Sequence, residues 1–151
     1  MPTIIAATDG SPSANAAVEQ ALAEARASNA TLDLVGAWSA PPNGTLGAPT
    51  YMSEEVFYSG RDSIARILDD AKAHAAEGGI QVETHLVAGN AAVEICRLAE
   101  KRHADLIVMG SRGHKPLAAA FLGSVATHVV QHAHCPVMVV PDPDRANGHK
   151  A

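Results

Sequence analysis

The chain has 151 residues, of which 47% are apolar, and a formal net charge of -5 at pH 7. This length predicts one domain with a substantial core, and the apolar content excludes a disordered chain. Lysine and arginine are nowhere clustered, which argues against a nucleic-acid-binding surface, because such surfaces depend on cationic contacts with phosphates.

No targeting or membrane-spanning segment is expected. The amino terminus shows neither a basic region nor a cleavage site, and the longest nearly apolar segment, residues 117–126, is too short to cross a bilayer. We therefore expect a cytoplasmic protein without membrane attachment. The two cysteines, Cys96 and Cys135, are far apart in sequence and are predicted to be buried, reduced thiols.

The chain begins with a predicted strand, helix and strand. An apolar run over residues 3–8 is typical of a buried strand. Ser11 and Pro12 predict the N-cap and first position of a helix that ends near Ser28. Residues 31–37 form the second predicted strand.

A long connection separates the second strand from the second helix. Residues 39–52 are rich in proline and glycine and predict a loop that could cover a pocket. Glu54 favours a helix start, but Gly60 weakens the early part, so the firm helix is expected from near Arg61. Residues 80–88 then alternate between apolar and polar side chains, which predicts a strand at the edge of a sheet.

The second half of the chain repeats the alternation. Asn90 is predicted to cap a third helix, and residues 105–110 form a fourth strand. A fourth helix is predicted over 123–132 and a last strand over 136–140, followed by a flexible tail over 142–151. This order predicts an α/β fold in which a doubly wound, open parallel sheet carries helices on both faces.

The most informative motif is Gly110-x2-Gly113-x9-Gly123-Ser124, which begins at a predicted strand end and leads into a helix. Gly110 lets the chain leave its strand tightly, and Gly113 can adopt a positive φ. Backbone amides at Gly123, Ser124 and Val125 could converge on a phosphate, which the helix dipole also favours. The alternative is that these glycines only make turns.

Residues near these glycines suggest the rest of a nucleotide site. Asp9 is expected to hydrogen-bond ribose hydroxyls, because a carboxylate repels phosphate; an Asx turn or helix cap is its alternative role. The strand end at Ala37 offers backbone groups to an adenine, while Trp38 either covers the base or packs. Arg112 and His114 either meet phosphate charge or point into solvent.

The histidines do not predict a metal site. His128 and His132 share a helix face and His134 follows, but no third ligand has a clear spacing. Any Mg²⁺ is expected to arrive with the phosphates and to meet the hydroxyl of Ser124.

Four segments resemble the universal stress protein family, in its ATP-binding branch: residues 6–11, 105–113, 123–125 and 135–140. The resemblance implies a nucleotide-binding domain over 1–141 with five parallel strands in the order 3-2-1-4-5. It also implies ATP held mainly by backbone groups, a homodimer formed through the last strand (Val137–Val140), and a role in stress response. Residues 36–38 depart from the family, in which bulkier aliphatic residues are common there.

Site residues are carried over from this resemblance by position. Ala7 and Ala37 would meet the adenine, and Asp9 would meet the ribose. Six further residues would surround the ribose and phosphates, namely Met109, Gly110, Gly113, Gly123, Ser124 and Val125.

Three functions are compatible with the sequence. The first is an ATP-binding regulatory module, the second a slow ATP hydrolase, and the third a dimeric scaffold that binds no nucleotide. The sequence offers no evident base to position a water molecule and no pair of acids for metal ions, which disfavours efficient hydrolysis.

Overall fold

A computed structural model describes residues 1–39, 54–113 and 122–143 of the chain. The predicted loop over 39–52 beyond Ser39, His114 and the tail beyond residue 143 lie outside these residues. The described elements alternate along the chain as β1 (Thr3–Ala7), α1 (Pro12–Ser28), β2 (Thr31–Trp38), α2 (Glu54–Glu77), β3 (Val82–Ala88), α3 (Ala91–Lys101), β4 (Leu106–Gly110), α4 (Ser124–His132) and β5 (Val137–Val140).

The five strands form one parallel sheet in the order β3-β2-β1-β4-β5. Two hydrophobic clusters cover it. One joins the sheet to α1 and α2, and the other joins the opposite face to α3 and α4. The predicted α/β class, doubly wound architecture and strand order are therefore confirmed, and β3 lies at an edge as its alternating pattern predicted.

Helix α1 shows why the sequence predicts its start well. The Ser11 side chain accepts a hydrogen bond from the amide of Ala14 at 3.3 Å, and Pro12 occupies the first turn, where its missing N–H costs nothing. The helix ends at Ser28, and the next residue, Asn29, caps the last turn with a left-handed φ of 54°. Asn90 caps α3 in the same way, through the amide of Val93 at 3.1 Å.

The expected start of α2 near Arg61 is wrong, because the helix begins at Glu54 and continues through Gly60. A glycine costs a helix interior only about 1 kcal/mol, and packing of a 24-residue helix against the sheet outweighs that penalty. Beyond its own helix, no atom of the described residues lies within 4 Å of the position that a Cβ at Gly60 would take. Packing against the described residues therefore does not require a glycine here.

The polar face of β3 contacts a buried charge that the sequence pattern did not predict. Asp33 in the middle of β2 is fully buried, and its carboxylate accepts hydrogen bonds from Arg102 Nε at 2.8 Å and Nη2 at 3.4 Å. Arg102 also bonds Glu83 on β3 at 2.8 Å, and His85 Nε2 lies 3.5 Å from Asp33. The hydrogen bond with Asp33, followed by the charges of Asp33 and Glu83, raises the pKa of Arg102. This network joins the edge strand to the end of α3.

Both cysteines are free thiols, as predicted, but they are only partly buried. Cys96 on α3 and Cys135 before β5 pack against the same hydrophobic cluster. Burial raises the pKa of Cys96; burial, and then the charges of Asp105 and Cys96, raise the pKa of Cys135. Because the thiolate is the reactive form, both side chains are less reactive at neutral pH than an ordinary exposed cysteine.

Candidate functional site

The site lies where the winding of the sheet reverses. Strands β1 and β4 are neighbours, yet the chain leaves them toward opposite sides of the sheet, through α1 and α4. In parallel sheets a crevice opens at the carboxyl ends of two such strands, and ligands bind there. The ends of β1 and β4 are followed by Asp9 and by the glycine loop that starts at Gly110.

A cavity of about 660 Å³ occupies this crevice, which is within the size range of small-molecule sites. Its wall contains all ten residues predicted for the site: Ala7, Asp9, Ala37, Met109, Gly110, Arg112, Gly113, Gly123, Ser124 and Val125. Val35 and Ile95 add apolar surface to the wall, whereas Trp38 is not among its lining residues. The cavity thus joins apolar side chains to a loop rich in backbone donors.

Gly110 is required by close packing of β4 against α1. A Cβ at this position would lie 2.2 Å from the Ser13 hydroxyl oxygen, 2.7 Å from the Ser13 carbonyl carbon and 2.8 Å from the Ala14 nitrogen. Two of these are backbone atoms, which cannot move without moving the helix. The bare glycine therefore lets the start of α1 reach the strand end beside the cavity.

Gly113 does not use the positive φ that a glycine can adopt. A neighbouring side chain explains why this position is a glycine, because a Cβ there would lie 2.9 Å from Asp9 Oδ2. The left-handed conformation in this region belongs to Gly10, with a φ of 80°. Gly113 thus lets the loop and the Asp9 carboxylate approach closely.

Asp9 forms the Asx turn that was the alternative to ribose binding, and it also lines the cavity. Its Oδ1 accepts a hydrogen bond from the amide of Ser11 at 2.9 Å, which is the Asx turn considered above. Thr8 supports the same turn, since its hydroxyl accepts from the amide of Gly10 at 3.2 Å. The turn holds the carboxylate at the cavity wall, so the two roles are compatible.

Gly123 caps α4 without a side chain, and its own amide is already used. That amide donates to the carbonyl of Ser111 at 2.7 Å, so the expectation that it serves as a phosphate donor is wrong. The amides of the first helical turn remain, beginning with Ser124 and Val125, and no side chain of the described residues caps them. Ser124 itself is exposed. The helix start therefore offers amides, a hydroxyl and the positive end of the helix dipole to an anion.

The side chain of Arg112 does not point into solvent and forms an ion pair at the cavity wall. Its guanidinium Nη2 lies 3.3 Å from Asp142 Oδ2, and the two side chains are only 17% and 18% exposed. The backbone amide of Arg112 donates to Ser13 Oγ at 3.4 Å. Arg112 thus ties the loop to other parts of the fold while it lines the cavity.

Two side-chain clusters invite a metal interpretation. The rings of His128 and His132 stack with their centroids 4.1 Å apart, and His132 Nδ1 is hydrogen-bonded to the His128 carbonyl. Ligand atoms of Asp33, Glu83 and His85 lie within 4.8 Å of one another, away from the cavity. In the second cluster the Arg102 guanidinium bonds both carboxylates, so it already supplies their counter-charge.

Sequence reasoning missed several residues of the site. Ser13, Ser111 and Asp142 hold the loop, and Ala91 and Ile95 bring the start of α3 to the cavity. The Asn90 cap was a usable signal for the α3 residues, because it placed a helix start just after a strand end. The contacts of Ser13 and Asp142 depend on elements far apart in sequence and left no local pattern. Among the described residues, no helix has the length and apolar character needed to cross a bilayer.

A doubly wound sheet with a glycine-lined cavity at its switch point defines a Rossmann-like α/β domain, a class in which ligands bind at this place in the sheet. The sequence model of the universal stress protein family matches residues 1–141, and the chain belongs to this family.

Individual relatives agree with this assignment. Universal stress protein MJ0531 of Methanocaldococcus jannaschii is 34% identical over 94% of this chain and 83% of its own length. Universal stress protein YxiE of Bacillus subtilis is 34% identical over 91% of this chain and 97% of its own. A crystal structure of a universal stress protein in complex with cAMP superposes with a TM-score of 0.71 and 31% identity, over 93% of this chain and 97% of the other.

Proposed function

We propose that this protein is an ATP-binding regulatory module that acts in stress responses in the cytoplasm. The observation that carries the proposal is the start of α4, where no side chain of the described residues caps the first amides and which faces a mainly apolar cavity together with the glycine loop. A phosphate satisfies the amides, and an adenine fills apolar volume. The similar structure with bound cAMP supports an adenine nucleotide as the ligand class. The net charge of -5 favours a role without nucleic acid.

The cavity wall suggests how the ligand is oriented. We assign the phosphates to the amides of Ser124 and Val125, and the ribose to the carboxylate of Asp9. The adenine is assigned to the small residues Ala7 and Ala37, whose side chains leave room for a base. Met109, Gly110 and Gly113 would surround the ribose and the first phosphate. Bound Mg²⁺ would reach the protein through the exposed Ser124 hydroxyl, a hard oxygen ligand, and would neutralise phosphate charge.

Calorimetric titration tests this proposal. ATP is expected to bind at one site per chain, and adenosine is expected to bind at least about tenfold more weakly, because it lacks the charged partner of the α4 amides. AMP and ADP in the same series report how many phosphates the site needs, and cAMP reports whether a single cyclic phosphate is sufficient. The absence of binding heat with every nucleotide at millimolar concentration would favour the scaffold without nucleotide instead.

Hydrolysis is the second candidate function and is measured on the same samples. Within the described residues the cavity wall contains one carboxylate, that of Asp9, and it already accepts the Ser11 amide. We therefore expect at most slow release of phosphate from ATP. A multiple-turnover rate that disappears in Asp9→Ala, while ATP still binds, would establish an enzyme and contradict the regulatory assignment.

We also propose a homodimer formed through β5. Val137–Val140 is an edge strand of apolar residues that pairs with β4 on one side, and among the described strands none pairs with its other side. An unprotected apolar edge of this kind favours pairing with a second chain. Sedimentation as a monomer at concentrations well above micromolar would exclude this assembly.

A further inference from the structure

We propose that Asp142 is a positioning residue for the phosphate end of this cavity. Together with Ser13, Arg112 and Val140 it forms a group of contacts, here termed the clasp, which fixes the glycine loop to the end of β5. The inference rests on the proposed function. It adds that the end of the last strand influences how tightly a phosphorylated ligand binds.

The first part of the clasp is the carbonyl of Val140, the last residue of β5. It accepts hydrogen bonds from the Ser111 amide at 2.9 Å and from the Ser13 hydroxyl at 3.3 Å. Ser13 is 1% exposed, and its oxygen also accepts from the Arg112 amide at 3.4 Å. One buried hydroxyl therefore joins the start of α1, the loop and the end of β5.

The second part is the ion pair between Arg112 and Asp142, with 3.3 Å between Nη2 and Oδ2. Asp142 is the first residue of the expected tail, yet its side chain is about four-fifths buried. A pair in such surroundings is screened less than a surface pair, so its attraction is stronger than that of an exposed pair. Asp142, two residues beyond the end of β5, therefore holds the Arg112 side chain in place.

The clasp reaches the ligand site through one more contact. The carbonyl of Ser111 accepts the amide of Gly123 at 2.7 Å, and Gly123 caps α4. A shift of Ser111 and Arg112 thus moves the helix start that presents the amides of Ser124 and Val125. Asp142 itself does not line the cavity, so it acts by positioning the loop and not by contacting the ligand.

The test compares Asp142→Asn, which removes the charge but keeps the size, with the wild type and with Glu100→Gln. Glu100 is an exposed residue of α3 and provides the same change in net charge. Asp142→Asn is expected to weaken ATP binding by about threefold to tenfold, the range typical of residues that act indirectly. Asp142→Glu is expected to restore most of the affinity, and Glu100→Gln to leave it unchanged.

Amide hydrogen exchange on the protein without nucleotide provides a second, independent readout. Exchange at Ser111, Arg112 and Gly123 is expected to accelerate in Asp142→Asn, while the buried amides of β1 exchange as in the wild type. If Asp142 only stabilised the fold as a whole, Asp142→Asn would accelerate exchange throughout the sheet.

The outcomes separate this inference from the proposed function. Unchanged exchange in the loop, or equal ATP affinity of Asp142→Asn and wild type, overturns the clasp while the ATP site stands. Tighter binding of ATP by Asp142→Asn also overturns it, because Arg112 would then be a phosphate ligand that Asp142 withholds. A wild-type protein that fails to bind any nucleotide ends the proposed function and this inference together.

Discussion

Gly110→Ala is expected to lower the free energy of unfolding by about 3 kcal/mol, at the upper end of the usual cost of overpacking. The added Cβ would lie 2.7 Å and 2.8 Å from backbone atoms of Ser13 and Ala14, so α1 must move away from β4. Urea denaturation followed by circular dichroism measures the change.

Gly60→Ala is the matched control, because it adds the same atom in open space. Of the residues that the structure describes, none beyond the helix places an atom within 4 Å of that Cβ, and alanine is the better helix former. This variant is expected to gain about 0.5–1 kcal/mol. If Gly110→Ala proves as stable as the wild type, the close contact between β4 and α1 is not a constraint, and our explanation of this glycine fails.

Gly123→Val is expected to weaken ATP binding at least about tenfold, because hydrogen bonds to a charged ligand contribute about 1.5–3 kcal/mol each. The Cβ at this position would already lie 3.0 Å from the Ser111 carbonyl oxygen and 3.3 Å from Arg112 Cα. Valine therefore displaces the loop or the helix start. The φ of -61° is open to valine, so the fold is expected to persist.

Ser124→Ala tests the hydroxyl separately, and Ser124→Thr is its matched control, since threonine retains the hydroxyl. We expect the alanine variant to lose affinity for Mg·ATP by about tenfold and the threonine variant to stay near the wild type. Calorimetry measures both, and a melting curve checks the fold. If Gly123→Val and Ser124→Ala both bind ATP as tightly as the wild type does, the phosphates do not bind at the start of α4.

Features with a local cause could be predicted from the sequence. The α1 cap at Ser11 and Pro12 depends on neighbouring residues, and the alternation along 80–88 follows from the two faces of a strand. Strand ends could also be placed, because parallel strands direct their carboxyl ends to one edge of the sheet. Strand ends and the glycine motif, together with the family resemblance that added Ala7 and Met109, therefore pointed to ten residues of the cavity wall in four separate segments.

Features that depend on distant partners could not be predicted. The amide of Gly123 is used by Ser111, and Arg112 pairs with Asp142, which is 30 residues away. Gly113 is explained by the approach of Asp9 and not by its own φ. Asp33 left a weak signal, a charge inside an apolar strand, but its partner Arg102 is 69 residues away. In each case tertiary contacts decide what the local pattern leaves open.

The most direct test of the central claim follows individual backbone amides by NMR during titration with ATP and, in parallel, with adenosine. We predict that ATP shifts the amide signals of Ser124 and Val125 strongly and saturably. Adenosine should leave them nearly unchanged while it perturbs Ala7 and Ala37. If millimolar ATP leaves the signals at the start of α4 in place, or shifts them no more than adenosine does, backbone recognition of phosphate in this cavity is contradicted.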